Sequence, residues 1–409
     1  MRRARVKCVC LWMAVVIAVL SSSCKDQGSQ SAIPAAPLES YVEAELLRLE
    51  ETYRILDRYS DELWPGWKDY ADVPVQVSFP NGVVLLVSPR AKSQPGFERL
   101  DGWTILGKAC YLSKSKRTAA EVRPPLFAQR GRGGELIHLD MAEPDLPALE
   151  AERSAALEAL LKKKGQPDDP FDLAPLGDSD AHILMYIHEH FHGHQARVWR
   201  ADRRDSADGG FRAGAEYASW SHVEGLALRR AYLEGEDAAA REFLKDFIVA
   251  RENKRARMTA EAAVAEAHIS VGEGTSTYVS LKAALILGGS DYRPGLDRVK
   301  DPYFYEFDHV DGYIDNIMRK GMDFAVSLSQ DTRGKYYLYG AYQCFLLDRF
   351  APGWKRGFLE RAKSLDAATA DLLKLSSGEK EEIRQRLPAR YAYDEIRSFH
   401  ENALKKKRP

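Results

Sequence analysis

Residues Ile183–Gln195 read ILMYIHEHFHGHQ. Four of the chain's ten histidines fall at 188, 190, 192 and 194, and a fifth, His182, stands upstream. Residues 183–187 are apolar on every side, which predicts a helix buried in its domain. Asp178 or Ser179 is positioned to cap its start. A buried helix carries imidazoles only where they have partners, because a lone polar group is costly there. Within it, His188-Glu189-His190-Phe191-His192 spells H-E-x-x-H. Positions four apart on a helix differ by roughly 40° around the axis. His188 and His192 therefore point the same way and suit one zinc ion, held through ring nitrogens. Glu189 lies on the flank of that face, where it reaches a bound water without ligating, as a general base must. His190 and His194 are also four apart but point roughly 200° away from the first pair. They are expected to serve structure, bonding backbone or carboxylate. His222 and His268 have no partner at metal spacing.

Outward from this helix, the ends and the composition bound the rest. The chain has 409 residues, a net charge of −1 and 45% hydrophobic residues. That suits a globular chain with ample core, and the balanced charge argues against a nucleic-acid footprint. Arg2, Arg3, Arg5 and Lys7 precede an unbroken apolar run, Cys8 to Leu20. It is shorter than the roughly 20 residues a membrane helix needs, so residues 1–24 read as a signal peptide. Its end, LSSSC, resembles a bacterial lipobox closing on Cys24, although Ser21 stands where leucine is usual. That resemblance implies lipidation at Cys24 and an exported, membrane-anchored protein, or a secreted one if Cys24 is not lipidated. Beyond Cys24 only Cys110 and Cys344 remain, which read as two buried thiols.

Residues 25–37 read as a polar tether. Apolar positions at Val42, Leu46, Leu49, Tyr53, Leu56 and Leu63 predict a helix over 38–64, stopped by Pro65-Gly66. In the β-rich region 65–178, two β-prone runs flank Pro80-Asn81-Gly82, a hairpin signal. Trp103–Ser113 and Gly134–Ala142 read as further strands, 144–164 as a charged helix, and 166–180 as a loop. Residues 179–400 are helical in pattern, and 401–409 form a basic tail. The fold class is therefore α+β, mainly α: a small N-terminal antiparallel sheet region with a larger helical, catalytic one.

A catalytic zinc takes three protein ligands and an open position. Two downstream glutamates compete for the third place, Glu224 and Glu273, each followed by a glycine that admits a close helix neighbour. The chain resembles the gluzincin class of zinc metallopeptidases. In its aminopeptidase-N-like and glycyl-aminopeptidase-like members the ligand glutamate lies in E-G-x-[AST]-x-Y. Glu273-Gly274-Thr275-Ser276-Thr277-Tyr278 matches throughout, whereas the Glu224 stretch has Arg229 in place of the tyrosine. The resemblance therefore favours Glu273, at a longer distance from His192 than those families use, and leaves Glu224 or Glu266 to orient a histidine. Some gluzincin-like enzymes donate a late-helix tyrosine to the oxyanion. Tyr337 and Tyr339, ahead of Gly340, resemble that arrangement, and otherwise read as an aromatic core stripe. By analogy with zincins, Gly134–Ala142 is the edge strand that an extended peptide would pair with. The resemblance implies a zinc-dependent peptidase acting on peptide or protein substrates. The alternative is a surface or periplasmic binding lipoprotein that kept the scaffold without catalysis.

Overall fold

The computed structural model describes residues 38–79, 83–88, 97–113, 137–140, 178–199, 211–301, 304–308, 310, 314, 317–321, 326, 334–361 and 363–406. The signal segment, lipobox and tether, the turn Pro80-Asn81-Gly82, the charged stretch 144–164 and most of the loop after it lie outside the described residues, as does the end of the basic tail. The described part is mainly helical with one small sheet, an α+β fold. Among the described residues no helix is long and apolar enough to cross a membrane. The chain divides into two compact units. Unit 1 holds Met1–Arg197 and Val279–Asn316, and unit 2 holds Val198–Tyr278 and Ile317–Pro409.

Unit 1 opens with α1 (Leu38–Leu63). Its heptad-like apolar positions Leu46, Leu49, Tyr53, Leu56 and Leu63 are all buried to 1% exposure or less, as one face of a 3.6-residue period requires. Gly66 then turns the chain with φ +83°, a left-handed value that costs glycine nothing. A short 3-10 turn, Asp69–Asp72, leads into the sheet. The strands are β1 (Val75–Ser78), β2 (Val84–Ser88), β3 (Phe97–Ile105), β4 (Lys108–Ser113) and β5 (Ile137–Asp140), in the order β3-β4-β2-β1-β5. β1 and β2 pair antiparallel, Val75 opposite Val87 and Ser78 opposite Val84, the hairpin signalled by the flanking runs. The segment Trp103–Ser113 is not one strand. Leu106 and Gly107, at φ +46° and +72°, turn it between β3 and β4. Positive φ at both central residues is the two-residue hairpin geometry that follows strand twist. β5 joins the edge beside β1 in parallel, Val75 opposite Ile137.

The helix α2 (Asp178–Val198) closes this part of unit 1. Ser179 lies inside it and donates its hydroxyl to Asp301 at 2.7 Å instead of capping it. Asp180 accepts from the backbone N–H of Tyr305 and of Phe307, both at 2.7 Å. Burial pushes its carboxyl up to about 7, against the pull of those two hydrogen bonds.

Unit 2 is helical: α3 (Ala215–Leu233), α4 (Asp237–Arg255), the first part of α5 (Ala260–Gly289), α6 (Tyr336–Phe350), α7 (Leu365–Leu373), α8 (Ser377–Arg390) and α9 (Tyr393–Lys406). α3 packs on α4, α6 and α9, while α4 also meets α7 and α8. Ser376 and Glu379 form a reciprocal capping box at the start of α8, satisfying two of the helix's unpaired amide groups.

Candidate metal centre

α2 is anchored through the residues between its ligand candidates. The ring of Phe191 lies 4.9 Å from that of Trp64 and 5.1 Å from that of Trp67. At Gly193 the helix presses on Val73 so closely that an added Cβ would lie 2.7 Å from its Cγ2. His190 and His194 share this inward face. His190 Nδ1 lies 2.8 Å from the carbonyl oxygen of Tyr186, and its ring meets Tyr53 edge to face at 5.1 Å. Burial pushes His190 down to about 3, outweighing that hydrogen bond, so the ring is neutral at physiological pH and its Nδ1 carries the donated proton. His194 Nδ1 lies 2.8 Å from Asp69 Oδ1. Burial would raise the Asp69 carboxyl, but the hydrogen bond and charge of His194, with Arg197, hold it below the usual carboxylate range. His182, nearer the helix start, stacks on Tyr186 and places Nε2 3.2 Å from Glu45 Oε1. These three imidazoles are thus committed to structure.

His188, Glu189 and His192 form the other face. Each offers one ligand atom, and these atoms all lie within 4.8 Å of one another. The His188 and His192 rings stand 4.7 Å apart, nearly perpendicular, and Glu189 Oε1 is 4.0 Å from His188 Nε2. All three are buried, at 6%, 4% and 5% exposure. His192 Nδ1 lies 2.7 Å from Gln195 Oε1. Two imidazoles and a carboxylate, all buried, are a donor set of a kind that metal ions take. The group could hold a metal ion. Gln195 was not singled out by the sequence reading, although its place three residues after His192 was the available signal.

The other sequence candidates belong to unit 2. Glu224, on α3, is fully buried. Its Oε1 accepts from Arg251 Nε at 2.9 Å and Nη2 at 2.6 Å, and Lys254 Nζ lies 2.6 Å from its Oε2. Glu266, on α5, is 1% exposed. It meets Lys254 at 2.7 Å and Arg255 at 3.2 Å and accepts from the Tyr336 hydroxyl. Burial would raise the Glu266 carboxyl, but the charges of Lys254, Arg255 and Arg251 hold it well below the usual range. Asp366 is depressed in the same way by Arg251 and Arg255. Glu224, Glu266 and Asp366 with Arg251, Lys254 and Arg255 thus form one network, buried at Glu224, Glu266, Arg251 and Lys254 and half-buried at Arg255 and Asp366.

Glu273 is half-buried on α5. The glycine after it is a crossing point: a Cβ at Gly274 would lie 2.5 Å from the Cα of Gly340 on α6. Tyr278, the last residue of the E-G-x-x-x-Y pattern, donates to Asp348 at 2.5 Å and accepts from Lys355 at 2.7 Å. Tyr337 is 8% exposed and Tyr339 fully buried. The Tyr339 hydroxyl is pressed against Gly225, where an added Cβ would lie 2.1 Å away. His222 meets His400 at 3.3 Å, and His268 meets the Trp199 ring edge to face at 5.7 Å. Among the described residues, Cys110 and Cys344 are buried thiols with no disulfide between them.

Comparison of the chain with family models, with curated proteins and with solved structures finds no match.

Proposed function

We propose that the protein is a zinc-dependent metallopeptidase, exported and anchored through a lipid on Cys24. The observation that carries the reading is the buried trio of His188, Glu189 and His192, with ligand atoms within 4.8 Å of one another on one helix. His188 and His192 hold the ion in this reading. The E-G-x-x-x-Y resemblance implies Glu273 as the third ligand. The competing Glu224 already has Arg251 and Lys254 on its two oxygens. A zinc ion there supplies a Lewis acid for the scissile carbonyl and lowers the pKa of its water.

The chain's own residues do the rest. Glu189 takes a proton from the attacking water as its oxygen bonds to the carbonyl carbon, and then delivers that proton to the nitrogen as the C–N bond breaks. The resemblance implies Tyr337 or Tyr339 as the donor to the developing oxyanion, a role that preorganised hydrogen bonds fill in acyl transfer. The substrate is a peptide or protein. Export rests on the basic n-region, the apolar run and the LSSSC end of the first 24 residues.

Elemental analysis of purified protein beside a peptide-library assay tests the reading. Wild type should carry one zinc per chain and cleave peptides. His188→Ala should lose both, and Glu189→Gln should keep zinc and lose turnover. Bound zinc with no hydrolysis across the library would turn the reading toward a binding lipoprotein, and wild-type turnover in Glu189→Gln would overturn the mechanism.

A further inference from the structure

Gln195 sits seven residues after His188 and three after His192. Positions i, i+4 and i+7 lie along one helix face, so α2 carries both ligand candidates and this amide on a single stripe. The side chain is 2% exposed, and its Oε1 lies 2.7 Å from His192 Nδ1. A neutral imidazole has one N–H. With an amide oxygen facing Nδ1, that nitrogen must carry the proton and donate it. The lone pair of the neutral ring is then on Nε2. Water cannot take over the acceptor role easily, because both partners are buried.

We propose that Gln195 is the positioning residue of the metal centre. It holds His192 in the Nδ1–H tautomer, so that Nε2 is ready to ligate before a cation arrives. The proposal rests on the metal-centre reading above and adds a choice of chemistry to it. A carboxylate in this place would draw the Nδ1 proton and make the ring a stronger donor. A neutral amide orients the ring without that added charge, so the bound cation keeps more of its Lewis acidity. The same helix supplies ligands, base and positioning group, so this half of the centre needs no distant segment to set the tautomer.

The test uses the full-length chain, 15N-labelled at histidine, as wild type, Gln195→Leu and Gln195→Glu. The first readout is the His192 tautomer in chelator-treated protein, from long-range proton–nitrogen correlations, with the signal identified by its loss in His192→Ala. The second is zinc affinity by competition with a chromophoric chelator. Wild type should show Nδ1–H. Gln195→Leu, which keeps bulk without an acceptor, should shift to Nε2–H and bind zinc about 10- to 100-fold more weakly. Gln195→Glu should restore Nδ1–H and bind zinc at least as tightly as wild type, which a purely structural role for the side chain would not predict. An Nε2–H ring in wild type, or Gln195→Leu binding zinc within about twofold of wild type, overturns the proposal. Zinc bound with the predicted tautomer but without any peptide hydrolysis would sink the peptidase reading alone. A wild-type chain that takes up no zinc overturns both.

Discussion

Glu224-Gly225 and Glu273-Gly274 are the same dipeptide on two helices of unit 2, and the fold treats them oppositely. Both glycines are crossing points, one under the Tyr339 hydroxyl and one against the backbone of Gly340. The carboxylates before them differ. Glu224 is sealed in a network with Arg251 and Lys254, whereas Glu273 is half-buried. A glycine after a glutamate therefore reports a close neighbour, not a ligand. What marks Glu224 is that Arg251 and Lys254 already sit on its oxygens. A carboxylate neutralised by an arginine and a lysine is expensive to disturb, and it has little to offer a metal.

The sharpest way to break this comparison is to remove each acid in turn. On the proposed ligation, Glu273→Ala should cost about 4 kcal/mol of zinc affinity, one ligand's share of the ~10–16 kcal/mol that a full structural site supplies. Its thermal unfolding without zinc should stay close to wild type. Chelator competition and calorimetry read the two quantities, and unchanged zinc affinity would remove Glu273 from the site. Glu224→Ala should do the reverse. It strands Arg251 and Lys254 in the interior, a loss of about 3–5 kcal/mol in denaturant unfolding, with zinc affinity per folded molecule preserved.

Gly274→Ala and Gly225→Ala sharpen the same contrast at smaller scale. The first sets a methyl against the Gly340 backbone, which cannot yield, and should cost about 1–3 kcal/mol. The second meets the end of the Tyr339 side chain and, at 2.7 Å, the Cγ2 of Val326. Tyr339→Phe in the Gly225→Ala background should therefore recover about 1 kcal/mol of that loss. Urea unfolding of the four variants gives the coupling, and additive effects would mean the hydroxyl is not what limits Gly225. Tyr337→Phe, by contrast, should lower turnover by about 10²-fold with zinc retained.

The smallest effect is in pH. The Glu266 carboxyl is held below its ordinary 4.5 by Lys254, Arg255 and Arg251. A depressed folded-state pKa means the unfolded chain binds the proton first as pH falls. The network's contribution is therefore complete above 4.5 and is lost progressively below it. Melting temperature across that range should fall more steeply for wild type than for Glu266→Gln, which cannot take up this proton. Equal slopes would show that the network does not carry the acid sensitivity.

What could be read from residues alone was local. The periodic apolar face of α1, the pairing of β1 with β2, and the common face of His188 and His192 all depend on spacings of two to four residues. Backbone geometry translates such spacings directly into direction. Even Gln195 lay within reach of that rule. What tertiary structure decided was partnership across distance. Arg251 stands 27 residues from Glu224, and Asp69 stands 125 residues from His194. β5 returns to lie parallel to β1. Ser179 looks like a cap until Asp301 arrives to take its hydroxyl. A buried charge or imidazole is defined by what neutralises it, and nothing in a linear spacing names a partner that only chain folding brings near. That is why the H-E-x-x-H helix was visible at once, while the quiet role of Glu224 was not.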